Sequence, residues 1–275
     1  MADIQNNKKL QKIILEVAEL AQYLWQKGWA ERNAGNISIN INHIVKEEIT
    51  ELDEFPFYKL GQAYPELANR YFFVTGTGKR MRDIARKPLK NALLIKLSDK
   101  GNGYWIITQK KRNRYNFKPT SELPAHLGIH QMIKKRGSKE KVIIHTHANE
   151  LVALTQIKEN NNQEKINKIV WGMHPEAMVF VPKGVGFVPY TLPGTEDIAQ
   201  KTIESFANHD IVLWEKHGVF AIGETIFDTF DSIDIIAKSA QIYFTCKSAG
   251  EEPEGLSNEQ LQELMVLAKK LSEQK

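Results

Sequence analysis

The sequence predicts one α/β domain over residues 1–275, and three observations carry that expectation. Segments with apolar residues at helical spacing alternate along the chain with short apolar runs that read as strands. No Pro/Ser-rich linker and no internal repeat divides the sequence. Hydrophobic residues make up 42% and charged residues 25%, which excludes collagen-like, low-complexity and wholly disordered chains.

The first element is a helix, because Leu10, Ile13, Ile14, Val17, Leu20, Ala21 and Leu24 recur at helical spacing and Gly28 follows as a stop. Ile37, Ile39 and Ile41 alternate with Ser38 and Asn40, the pattern of a strand half facing a core. The turn-forming run Asn33-Ala34-Gly35-Asn36 leads into it. Residues 42–70 lose periodicity and read as an excursion from the central scaffold. Tyr71 to Val74 is an apolar strand running into a second glycine-bearing loop, Thr75-Gly76-Thr77-Gly78-Lys79. Further strands are expected over 93–97, 104–108, 142–147, 177–181 and 211–214. Pro119-Thr120-Ser121-Glu122 starts a helix, with hydroxyls as caps and an acid in the first turn. Helices are also expected over 196–208 and 225–249, and Asn160-Asn161-Asn162 marks a polar loop. Ser257 and Gln260 form a capping box ahead of a short amphipathic terminal helix.

Charge and cysteine usage narrow the function. The 37 Lys and Arg against 33 Asp and Glu leave +4, too small a surplus to predict nucleic-acid or membrane binding, yet compatible with a small anionic ligand. The run Lys110-Lys111-Arg112-Asn113-Arg114-Tyr115 reads as a solvated loop, with RNA contact as the lesser alternative. Cys246 is the single cysteine, so an intrachain disulfide, a CxxC pair and a cysteine-rich zinc module are excluded. No stretch approaches the roughly 18 apolar residues of a membrane helix. Asp3, Glu16 and Glu19 stand where a targeting peptide avoids acids, so the expected location is cytoplasmic.

The strongest chemical signal is Val142-Ile143-Ile144-His145-Thr146-His147, an apolar strand ending in two histidines. Residues i and i+2 of a strand share a face, so the two imidazoles can bind one zinc ion, or simply hydrogen-bond at a strand exit. His217, just after the strand expected at 211–214, is the candidate third ligand, or else a turn residue. His126 and His130, four apart on a helix, form a competing pair without the glutamate of an HExxH motif. Glu122 is a helix-start acid whose alternative role is general base, since a metal-stabilised enediolate lets a nearby carboxylate remove a carbon-bound proton. Glu176 lies in a loop before the strand expected at 177–181 and reads as a solvated acid. The loops 33–36 and 75–78 offer the small residues and backbone amides that suit a phosphate, but Thr75 to Lys79 fits neither a Walker A loop nor a dinucleotide fingerprint.

Several separated motifs, in order, resemble the class II aldolase family. They are Lys27-Gly28-Trp29-Ala30-Glu31-Arg32-Asn33-Ala34-Gly35-Asn36, Val74-Thr75-Gly76-Thr77-Gly78-Lys79, Pro119 to His126, His145-Thr146-His147-Ala148, Leu192-Pro193-Gly194-Thr195 and His217-Gly218-Val219-Phe220. The resemblance implies a three-layer α/β/α sandwich around a central, largely antiparallel sheet, a homotetramer, and Zn2+ held by His145, His147 and His217. It implies that Glu122 exchanges a proton on dihydroxyacetone phosphate and that Glu176 serves the aldehyde oxygen from a neighbouring subunit. Asn33, Gly35, Asn36, Thr77, Gly78, Thr120 and Ser121 match positions around a phosphorylated ketose. Ala34 stands where the family tends to glycine, and Thr77 where serine is usual. The implied reaction is reversible cleavage of L-rhamnulose 1-phosphate to dihydroxyacetone phosphate and L-lactaldehyde. The alternatives are fuculose-phosphate cleavage, ribulose-phosphate 4-epimerisation, or a non-catalytic interaction role like that of the adducin head.

Overall fold

Residues 7–45, 49, 51–111 and 117–273 are described by the computed structural model. Asn7 caps α1 (Lys8–Gln26), its side chain accepting from the Lys9 and Leu10 amides, and the helix buries the stripe from Leu10 to Leu24. There follow β1 (Asn36–Asn40), β2 (Phe57–Lys59), β3 (Tyr71–Thr75), α2 (Met81–Arg86), α3 (Pro88–Asn91), β4 (Ala92–Leu97) and β5 (Gly103–Ile106). The chain continues through α4 (Leu123–Lys135), β6 (Val142–Thr146), α5 (Asn149–Leu154), α6 (Gln163–Met173), α7 (Pro175–Phe180) and β7 (Val185–Val188). It ends with α8 (Glu196–Ser205), β8 (Ile211–Trp214), β9 (Gly218–Gly223), α9 (Ile226–Ser248) and α10 (Asn258–Glu273). Among the described residues nine strands form one sheet in the order β2-β5-β4-β3-β1-β6-β9-β8-β7. Its pairings are antiparallel except β7 with β8.

Both faces of this sheet are apolar, because neighbouring strand residues point to opposite sides. Phe73 of β3, Ile144 of β6 and Ala221 of β9 join one cluster with α1 and α9. Phe72, Ile143 and Phe220, one residue away, join clusters with α4 and α8. Burial on both sides explains why β3 and β8 read as apolar runs.

Several sequence expectations change here. The strand expected at 177–181 is the helix α7: Pro175 occupies its first turn, and five apolar residues carry no period that separates strand from buried helix. Glu176 therefore sits in a helical first turn instead of a loop. The excursion at 42–70 returns to the scaffold, since β2 pairs with β5 at the sheet edge. Residues 46–48 and 50 lie outside the described residues. The polar loop at 160–162 holds a buried Asn160 whose Nδ2 donates to Tyr243 at 3.2 Å, and Asn162 caps α6. Of the basic run at 110–115, Lys110 pairs with Glu54 at 2.6 Å, whereas 112–115 lie outside the described residues. Among the described residues no helix is long and apolar enough to cross a membrane. The capping box forms as predicted, Gln260 N donating to Ser257 Oγ and Ser257 N to Gln260 Oε1.

Candidate metal centre

The centre of the sheet gathers the motif histidines. β1 lies between β3 and β6, and Asn36 sits directly opposite His145. His145 and His147 share a face across the end of β6, while Thr146 turns away and donates to the Trp29 carbonyl at 2.7 Å. His217 arrives from the tight β8–β9 turn, where Lys216 takes φ +57°. The ring centroids of the three histidines are 4.9–5.3 Å apart, and their ligand-capable nitrogens all lie within 4.8 Å of one another.

Two glycines permit this approach. A Cβ on Gly218 would stand 2.6 Å from the Thr146 carbonyl and 2.9 Å from His147 Cδ2. Gly35 combines φ +75° with a backbone contact, a Cβ there meeting the His145 carbonyl at 2.9 Å.

The hydrogen bonds leave the right nitrogens free. A carbonyl only accepts, so His145 Nδ1 carries the proton it gives to Val219 O at 3.1 Å. Its Nε2 is buried and, among the described residues, has no hydrogen-bond partner. An orphaned buried nitrogen costs roughly 1–3 kcal/mol unless something binds it. His147 Nδ1 likewise faces the Glu31 carboxylate at 2.8 Å, which turns its other nitrogen toward the cluster. Burial, reinforced by the His147 and His217 imidazoles, holds His145 well below the ordinary histidine range. Burial and then His147 hold His217 down to about 4. A buried, unpartnered nitrogen on His145 beside two further imidazoles fits a divalent cation, so the residues present suit the implied metal.

Glu122 is the N-cap residue of α4, yet its carboxylate leaves the helix: Oε2 accepts from Asn36 Nδ2 at 2.8 Å and lies 3.7 Å from His145 Nε2. Burial raises its pKa, opposed by the Asn36 hydrogen bond and by His147. Backbone bonds gather the remaining predicted positions. Thr120 N donates to Thr75 O, Thr77 N donates to Lys118 O, and Gly76 bridges to Pro119. Thr75 Oγ1 accepts from Ile37 N, which ties this pair of loops to β1. Asn33, Thr77, Gly78 and Ser121 are exposed while Thr120 and Asn36 are buried. Glu176 is exposed and pairs with His174 Nε2 at 3.0 Å rather than with the cluster.

The competing pair His126 and His130 is bonded within the protein instead of joining the cluster. His126 and His130 are both buried, and the Ser38 hydroxyl stands between them, 2.7 Å from His126 Nδ1 and 2.9 Å from His130 Nε2. Glu31 was not singled out, because an exposed acid in a turn carries no pattern of its own.

The family model for the class II aldolase and adducin N-terminal domain matches residues 15–244. The chain belongs to the class II aldolase family. It is 42% identical to the rhamnulose-1-phosphate aldolase of Bacteroides thetaiotaomicron over 96% of both chains. It is 38% identical to that of Klebsiella pneumoniae over 91% of this chain and 89% of the relative. Among solved structures, a sugar-phosphate aldolase from Thermotoga maritima is 32% identical with a TM-score of 0.75, covering 90% of this chain and all of its own. An L-fuculose 1-phosphate aldolase shares the fold at 16% identity and a TM-score of 0.57, covering 94% of this chain and 96% of its own. The class II aldolase described here is thus a metal-dependent carbon–carbon lyase.

Proposed function

We propose that this aldolase cleaves L-rhamnulose 1-phosphate reversibly to dihydroxyacetone phosphate and L-lactaldehyde, with Zn2+ held by His145, His147 and His217. The observation that carries the reading is three imidazoles whose ligand-capable nitrogens lie within 4.8 Å of one another, with a carboxylate 3.7 Å from one of them. The relatives named rhamnulose-1-phosphate aldolase support the substrate. A bound divalent cation supplies Lewis-acid stabilisation of the negative charge that develops on the ketose oxygens.

The protein's own residues do the rest. In cleavage the C3–C4 bond breaks, O4 passes its proton to the Glu176 carboxylate of a neighbouring subunit and becomes the aldehyde oxygen, and the bond's electron pair moves toward the C2 carbonyl. Glu122 then delivers a proton to C3, and in the synthetic direction its carboxylate removes one from the hydroxymethyl carbon of dihydroxyacetone phosphate. Asn36 orients that carboxylate. Asn33, Gly35, Asn36, Thr77, Gly78, Thr120 and Ser121 hold the phosphorylated end, drawing on amides and hydroxyls of the three loops. Glu176 assists the aldehyde oxygen across an interface in a homotetramer. The exposed Phe180 at the end of its helix supports a contact there. We read residues 1–275 as a single domain, a three-layer α/β/α sandwich, working in the cytoplasm.

A coupled assay of the purified protein on rhamnulose, fuculose and ribulose phosphates tests the assignment, with rhamnulose 1-phosphate the preferred substrate. Preference for either rival reassigns the activity. Glu122→Gln is expected to keep the metal and slow deuterium exchange into dihydroxyacetone phosphate by about 100-fold or more. Unchanged exchange removes Glu122 from this role.

A further inference from the structure

Asn36 and Ser38, two apart on β1, face His126 and His130, four apart on α4, so a strand period of two meets a helix period of 3.6. The result is one continuous hydrogen-bonded chain. Asn36 Nδ2 donates to Glu122, Asn36 Oδ1 meets His126 Nε2, His126 Nδ1 meets Ser38 Oγ, and Ser38 Oγ meets His130 Nε2. Asn36, Ser38, His126 and His130 are each less than 10% exposed, so bulk water does not replace a lost donor.

Its polarity follows from the donor inventory. A carboxylate accepts, so the Asn36 amide presents Nδ2 to Glu122 and Oδ1 to His126. His126 Nε2 must then carry the proton. Burial holds the ring neutral, its pKa lowered to about 3, so Nδ1 is an acceptor and takes the Ser38 hydroxyl proton. Ser38 Oγ is left to accept from His130 Nε2. A flipped Asn36 would set its carbonyl against the carboxylate and its amide N–H against the His126 donor, so His126 adds to what Glu122 alone imposes.

We propose that His126, held in its Nε2–H tautomer by Ser38, is a positioning residue that locks the Asn36 amide and thereby aims Glu122 for proton transfer. The inference rests on the role given to Glu122 above. His126 touches neither the substrate nor the cation in this account, so its effect falls on kcat and on the tautomer, not on metal content.

The test compares His126→Phe, which fills the slot packed on Phe220, with His126→Gln, which restores a donor near the Nε2 position. His126→Phe is expected to lower kcat and deuterium exchange into dihydroxyacetone phosphate by about 10- to 100-fold, with KM changed less than about threefold. Metal content stays at the wild-type level, and His126→Gln recovers most of the rate. Retention of kcat in His126→Phe, or equal losses in the two variants, overturns the proposal. Should His126→Phe fail to fold, 15N NMR of histidine-labelled wild-type enzyme and Ser38→Ala decides. His126 must be the Nε2–H tautomer in the first and a mixture in the second, and an Nδ1–H tautomer in wild type refutes the scheme. Glu122→Gln is measured alongside. If it keeps exchange, the Glu122 role fails and this inference with it; if it alone loses exchange, only the positioning role of His126 fails.

Discussion

At the scale of the residue, the metal centre depends on what is missing as much as on the ligands. Gly218 has φ outside the left-handed region, so its requirement is space: the β9 start passes against Thr146 O, His147 and His145. Gly218→Ala should destabilise the protein by about 1–3 kcal/mol and weaken metal binding, because the added methyl pushes the turn carrying His217 away from β6. Chemical denaturation and metal titration check both effects. Loss of neither would show that the hairpins separate without cost. The paired histidines of β6 were legible because alternation alone puts 145 and 147 on one face. Glu122 was not: its sequence position is that of a helix cap, and its bond to Asn36 spans 86 residues. The use of His126 and His130 was not legible either, because Ser38, their shared partner, lies 88 and 92 residues upstream.

At the scale of the element, sequence signals worked where the pattern had both a period and punctuation. The stripe of α1 with its Gly28 stop, and α9 with Thr225 at its start, come out within a few residues of expectation. Short apolar runs mislead in both directions: their pattern reads α7 as a strand and gives no strand at β7 or β9. An apolar run of four to six residues has no polar side to reveal its period, whether strand or helix. Thr225 Oγ1 accepts from Asp228 N at 3.1 Å and its hydroxyl bonds Asp228 Oδ2 at 2.7 Å, a reciprocal cap for the helix that closes one face of the sheet. Thr225→Ala should cost about 1 kcal/mol, read as a lower urea midpoint with unchanged slope. An unmoved midpoint would mean that packing alone fixes this helix start.

At the scale of the whole molecule, the polar chain behind the site carries a stability cost in acid. His126 and His130 are buried with pKa values below the ordinary 6.5, so unfolding releases them to bind protons. The sign follows: the unfolded state gains protons below pH 6.5, and stability present above that value falls as the pH drops toward the folded pKa. Each histidine contributes a slope of about 1.4 kcal/mol per pH unit in that window. Denaturation midpoints between pH 7 and 5 should therefore fall before most carboxylates titrate. A flat profile would mean that both rings take up protons in the fold as readily as in the unfolded chain.

The same long-range assembly explains why the sheet order could not be read from the chain. The site draws its parts from β1, the β3 loop, the start of α4, the end of β6 and the β8–β9 turn, and local pattern does not state which strands become neighbours. The account stands on the three imidazoles serving one cation that the lyase needs. Its most direct test is chelation of the purified enzyme followed by zinc addition, beside His147→Ala treated identically. Cleavage should disappear with the metal and return with zinc in the wild-type protein, while the variant neither holds stoichiometric metal nor recovers. Full cleavage surviving both EDTA and His147→Ala would contradict it.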